Sequence, residues 1–171
     1  MGRLLVLGTI CALVAGLAAS AAAAPTRTAC TAGQFTKGSA SGVQFCGPAK
    51  ATAKVGGKSY TFSSGTCVRT SKYFYVNLGT EVLTGPKGTT SYFGLLVGAY
   101  PGANPGTKAA PKDGTYGGGL VTIRWKGKDS ILNGAGDPNV KITLKKGRNA
   151  GTFAGMTFLP PKVKATGSFS C

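Results

Sequence analysis

From Asn139 to the end the chain reads NVKITLKKGRNAGTFAGMTFLPPKVKATGSFSC, and this stretch constrains the fold more than any other. Val140, Ile142 and Leu144 alternate with Lys141, Thr143 and Lys145. A period of two sends the two sets to opposite faces of a strand, one apolar and one wet. Lys146-Gly147-Arg148-Asn149 supplies a turn, and Thr152–Phe158 is expected to return as the partner strand. Pro160-Pro161 interrupts the ladder, because proline has no N–H to give it. A last strand then places Val163, Ala165, Gly167 and Phe169 on one face and Lys162, Lys164, Thr166, Ser168 and Ser170 on the other. Cys171 falls in phase with the buried set, so its sulfur is expected on the core side of an antiparallel meander.

Upstream, apolar runs are short and glycine is spread throughout, which favours strands cut by turns. Lys50–Val55 and Lys58–Phe62 flank Gly56-Gly57, a pair suited to the positive φ angles of a tight hairpin. In CVRTSKYFYVNLG, Phe74, Val76 and Leu78 share one face and Tyr73 and Tyr75 the other. TTSYFGLLVGAY reads as a further strand, YPGANPGTKAAPKDGTYGGG as a long surface loop, and Gly119–Trp125 as a resumed strand. A turn is expected at Asp137-Pro138. The pattern predicts an all-β chain, an antiparallel β-sandwich or open barrel.

The first residues, MGRLLVLGTICALVAGLAASAAAAPTR, have the three parts of an export signal: Arg3, an apolar run to about Leu17, then small residues. The run is too short for a convincing membrane span. Residues 1–24 are read as the signal and 25–171 as a single secreted β domain, so a secreted or cell-surface location is expected. Cys11 leaves with the signal, and Cys30, Cys46, Cys67 and Cys171 remain. An even cysteine number in an oxidising compartment predicts two disulfides, in any of three pairings. With no Cys-x-x-Cys and no histidine, a zinc site is not expected, and no cofactor is implied.

AKVGGKSYTFSSGTCVRTSKYFYVNLGT, over Ala53–Thr80, resembles a segment of the LpqH-like lipoprotein-antigen family of actinobacteria. The shared order is strand, Gly-Lys turn, strand, Gly-x-x-Cys, then an apolar strand closing on Gly; a final strand ending at a cysteine is shared as well. The resemblance covers under a third of the chain. It implies a β-rich surface or secreted protein without known catalytic residues. It also implies a Cys67–Cys171 disulfide, leaving Cys30 for Cys46. Family members are lipidated at an N-terminal cysteine, whereas Cys30 follows Arg27-Thr28-Ala29 and lacks a lipobox.

The residue inventory removes several chemistries. Without histidine there is no Ser-His-Asp or Cys-His nucleophile. GSASG has Ala40 where a nucleophile elbow requires serine. Gly56-Gly57-Lys58-Ser59 looks like the tail of a phosphate-binding loop, but Thr52 occupies the first glycine position and KSYTF is strand-like. Only four acids exist, Glu81, Asp113, Asp129 and Asp137, against twenty Lys and Arg, for a formal charge of +16. A carboxylate-based hydrolase would need two of them, such as Glu81 and Asp129, to meet in space.

The charge excess favours a polyanionic partner: cell-wall polymer, acidic glycan, nucleic acid or anionic lipid. Lys141, Lys145, Lys146, Arg148, Lys162 and Lys164 are the expected basic stripe, with Tyr73 and Tyr75 as a stacking surface. The blander reading is that the lysines only keep exposed strands soluble and unpaired, and that the tyrosines pack against a second layer. The functional expectation is a non-enzymatic exported protein that binds a polyanion. The alternative is a structural or antigen-like envelope protein with no specific ligand.

Overall fold

A computed structural model describes residues 30–102, 108–133 and 139–171, so the expected signal and the Asp137-Pro138 turn lie outside the described residues. Among the described residues thirteen strands follow one another: β1 (Gly33–Lys37), β2 (Ala40–Phe45), β3 (Lys50–Val55), β4 (Lys58–Ser63), β5 (Gly65–Arg69), β6 (Tyr73–Thr84) and β7 (Tyr92–Gly98). They continue as β8 (Gly114–Tyr116), β9 (Leu120–Trp125), β10 (Lys128–Asn133), β11 (Lys141–Lys145), β12 (Ala150–Met156) and β13 (Lys164–Ser170). Among the described residues there is no helix.

The strands form two antiparallel sheets that do not close into a barrel. One runs β1-β2-β6-β7-β9-β10, with β5 also paired to β6; the other runs β4-β3-β13-β12-β11-β8. The long strand β6 accepts β2 along Gly79–Thr84 and β5 along Phe74–Leu78, so these two lie end to end on one side of it. The architecture is the sandwich expected from alternation.

The core is the space between the sheets. Phe74, Val76, Leu78, Phe93, Leu95, Val121 and Ile123 meet Ala51, Ala53, Phe62, Ile142, Leu144, Phe153 and Phe169 there. Rings join the layers at Phe62–Phe93 (5.7 Å), Phe74–Phe169 (5.4 Å) and Phe93–Phe153 (5.6 Å). Each buried large side chain contributes about 1.5–3 kcal/mol, which is why alternation can dictate the layer order. Two inward positions are glycine for a steric reason. Gly151 pairs with Phe169, and Gly167 pairs with Phe153. A Cβ at either glycine would lie 2.4 Å from the facing ring. Each phenylalanine lies over the glycine of its neighbour strand.

The hairpin at Gly56 and Gly57 has the expected positive φ angles, 54° and 86°. Both disulfide pairings implied by the family resemblance are present, Cys30–Cys46 and Cys67–Cys171. Cys171 packs against the core, as its phase requires. Disulfides are compatible with an extracellular or otherwise oxidising environment.

Two local expectations are corrected, and one strand was not anticipated. The stretch taken for a continuous loop contains β8, whose Gly114, Thr115 and Tyr116 pair with Leu144, Thr143 and Ile142. Lys128–Asn133 is a strand that alternation did not mark, because Ile131 and Leu132 are adjacent apolar residues. The return strand of the last hairpin ends at Met156, and Phe158 is exposed beyond it.

Candidate functional site

The two groups of residues expected to share a binding surface lie on opposite outer faces of the sandwich. Tyr73 and Tyr75 belong to β6 in the seven-stranded sheet, and Lys141, Lys145 and Lys164 belong to the six-stranded one. The stacking surface and the basic stripe are thus separate.

On the six-stranded sheet, register aligns one outward residue from every strand. Thr61 faces Thr52, Thr52 faces Ser168, Ser168 faces Thr152, Thr152 faces Thr143, and Thr143 faces Thr115. The result is an unbroken transverse row of hydroxyls, about 24 Å long at the usual strand spacing of about 4.8 Å. Neighbours bond at Thr52–Ser168 (3.0 Å) and Thr115–Thr143 (2.9 Å).

The rows on either side carry the cations. One runs Ser59, Lys54, Thr166, Ala154, Lys141; the other runs Ser63, Lys50, Ser170, Ala150, Lys145. Lys50, Lys54, Lys141 and Lys145 therefore stand at four corners, roughly 14 Å apart across the strands and 13 Å along them. Lys164 lies opposite Met156 beyond the first row. Among the described residues of these rows there is no carboxylate side chain. Sequence reasoning missed Lys50 and Lys54, although the alternation Lys50-Ala51-Thr52-Ala53-Lys54-Val55 already points both outward.

The other expected cations divide. Lys146 and Lys162 are exposed. Arg148 is tied down: its Nη1 donates to the Thr70 carbonyl (2.7 Å) and the Ala110 carbonyl (3.2 Å). Its turn is held by Asp113, whose carboxylate accepts from Gly147 N–H (2.9 Å) and Arg148 N–H (2.7 Å). Arg69 adds bonds to the Arg148 carbonyl (3.1 Å) and Asn149 Oδ1 (2.6 Å). This cluster braces the end of the fold where Cys171 is anchored.

The outer face of the seven-stranded sheet carries a groove of about 320 Å³. Register again explains its lining. Tyr75, Leu96 and Leu120 form one row, and Asn77, Gly94 and Thr122 the next. Tyr92 and Arg124 come after them, with Asp129 paired to Arg124. Gly94 is the floor: a Cβ there would lie 2.4 Å from the Tyr92 hydroxyl. That hydroxyl donates to Asn77 Oδ1 at 2.8 Å. Tyr73 and Tyr75 are nearly parallel at 6.1 Å, and Tyr100 meets them edge-on at 4.9 and 6.4 Å.

Charges beside the groove are committed. Arg124, only 5 % exposed, donates through Nε to Asp129 Oδ1 (2.6 Å) and through Nη2 to Oδ2 (3.3 Å). Lys87 also pairs with Asp129, and the Arg124 guanidinium lies 5.9 Å from the Tyr92 ring centre. Burial pushes the Asp129 carboxyl up, but hydrogen bonds and charge from Arg124 and Lys87 outweigh it and hold the group below its ordinary value. Burial raises Glu81, against the Arg124 charge and a hydrogen bond with Tyr92. Tyr92 is itself raised, first by burial and then by Glu81. Tyr75 is raised by burial and by its tyrosine neighbours.

The Glu81 shift carries a sign that can be measured. A carboxyl raised by folding contributes stability at low pH and loses it as pH rises through the folded value. Glu81→Gln is therefore expected to gain on the wild type as pH climbs from about 4 to 7, with no gain at the acid end. Urea unfolding of both proteins across that range checks it; a constant difference would refute the assignment.

Among the described residues there is no group of three or more His, Cys, Asp or Glu placed to hold a metal ion. Family models, curated proteins and solved structures offer no match to this chain.

Proposed function

We propose that this chain is an exported, non-catalytic protein that binds a polyanion on the outer face of its six-stranded sheet. The observation that carries the reading is the four-cornered set Lys50, Lys54, Lys141 and Lys145 around the hydroxyl row. Lysines give long-range attraction to phosphate, sulfate or carboxylate groups, and the hydroxyls between them donate short hydrogen bonds to the same oxygens. An open face with such a row fits an extended chain lying across the strands. The resemblance to the actinobacterial lipoprotein-antigen family and the signal-like first residues support a place outside the cytoplasm, in or near the cell envelope. The engagement of Asp113, Asp129 and Glu81 with neighbouring groups supports a binding role over a hydrolytic one.

Retention on immobilised heparin over a salt gradient tests the reading. Each phosphate- or sulfate-bound lysine adds about one unit to the salt slope, so Lys54→Glu with Lys141→Glu is expected to lower it by about two. Charge reversal of Lys37, on β1, and Lys72, just before β6, both exposed and carried by the seven-stranded sheet, matches the change in net charge. Equal loss in both double variants would reduce the lysines to a diffuse charge. Retention indifferent to salt in the wild type would leave the envelope protein without a specific ligand.

A further inference from the structure

We infer that the groove on the seven-stranded sheet is a second binding site, and that it takes a neutral sugar ring. It stands apart from the lysine face, so the two readings stand or fall separately.

The lining selects the ligand by exclusion and by fit. Its volume, about 320 Å³, falls at the small end of ligand sites and suits one or two sugar rings. One side is apolar: Tyr75, Leu96, and the Tyr100 and Leu120 side chains, which are 41 % and 39 % exposed. The other side presents the Asn77 amide, the Thr122 hydroxyl and the Glu81 carboxylate. A purely apolar guest would strip water from those three groups and return no hydrogen bonds. An anion would meet Glu81 with no Lys or Arg among the described residues of the lining to balance it. A quaternary ammonium needs rings spaced to surround it, but the three tyrosines touch one another at 4.9–6.4 Å.

A pyranose meets all these conditions. Its C–H face lies on tyrosine and leucine, and its rim of hydroxyls donates to Glu81 and Asn77 and accepts from Thr122. The Tyr92 ring lies over Gly94, where a side chain would otherwise stand, so the floor of the groove there is a phenol on which a flat ring can rest. The groove is open, so a chain end or an internal unit of a neutral glycan is the expected form of the ligand.

The test is an amide-resolved NMR titration of the full domain with cellobiose, maltose and di-N-acetylchitobiose at about 10 mM each, suited to millimolar affinity. At least one is expected to shift the amides of Asn77, Gly94, Leu96 and Thr122 while leaving Thr52, Thr152 and Ser168 in place. Tyr75→Ala should weaken that binding about tenfold or more. Leu120→Asp, at an exposed position, serves as a second variant if Tyr75→Ala disturbs the fold, and should also weaken it. Lys54→Glu with Lys141→Glu should leave it unchanged, even if polyanion binding is lost or was never present. The inference is overturned if none of the three disaccharides shifts the groove, if the shifts fall on the lysine face, or if tetramethylammonium shifts the same amides more strongly. Binding that survives Tyr75→Ala and Leu120→Asp equally would also overturn it.

Discussion

Replacing Cys67 and Cys171 together by alanine is expected to cost about 4–5 kcal/mol. The bridge spans a sequence separation of 104, with Cα atoms 5.7 Å apart. Closing so long a loop removes much of the freedom of the unfolded chain, and the chain-entropy relation places the effect near the top of the usual range. The native side adds a reason of its own. Cys171 follows β13, which pairs with β12 on one side and β3 on the other, and its N–H donates to the Asn149 carbonyl at 2.8 Å. Freed from Cys67, in the other sheet, that end loses its covalent tie across the sandwich. Cys30 and Cys46, only 16 apart, close a small loop around β1 and β2 and should cost about 3 kcal/mol when both become alanine. Urea unfolding of the two double variants ranks them. The long bridge should lower the melting temperature by about 10–18 °C for a domain of this size. A long-bridge loss below that of the short bridge would remove chain entropy as the explanation.

Asp129→Ala should destabilise the fold by about 3–5 kcal/mol, because it strands a buried guanidinium. Arg124 gives Asp129 two hydrogen bonds, while its Nη1 is buried with no partner. Removing the carboxylate leaves the buried positive charge with only the Glu81 charge and the Tyr92 ring to set against its lost hydration. Lys87 is different: its side chain is 43 % exposed, so Lys87→Met should cost only about 0–1 kcal/mol. Replacing both buried partners, Arg124→Met with Asp129→Leu, should recover most of the loss, since desolvation of the pair disappears along with its attraction. Failure of the double variant to recover would mean that Asp129 serves packing more than charge. Acid adds a second check. A carboxyl lowered by folding contributes stability above its unfolded value, about 3.9, and gives it up as pH falls through the folded one. The wild type should therefore lose stability on acidification more steeply than Asp129→Asn.

Alternation made the last three strands legible, along with the inward phase of Cys171, because a period of two is visible in a single segment. The Gly56-Gly57 hairpin was legible for the same reason: its chemistry is local. Pairing between distant segments was not. The four-cornered lysine set exists only because β13 enters between β3 and β12, and no local pattern in Lys50–Val55 says which strand will lie beside it. Tyr73 and Tyr75 were correctly placed on the face opposite Phe74, but alternation gives a side of a strand, not a side of a sandwich. Arg148 shows a further limit. Composition counts its charge with the rest, whereas the fold directs it to two backbone carbonyls. Strand β10 stayed hidden because Ile131 and Leu132 break the alternation, with Leu132 in the core and Ile131 on the outer face.

The position of β13 bears on how such a fold assembles. The strand occupies the interior of its sheet, between β3 and β12. The pair β3 and β4 on one side, and β8, β11 and β12 on the other, meet only through it. Without β13 in place, both half-sheets present an unsatisfied edge to whatever lies nearby. Of the buried core cluster, β13 supplies only Ala165 and Phe169, so its detachment would leave most of the core residues present and bare two adhesive borders. Insertion of this one strand joins two aggregation-prone halves into a single sheet.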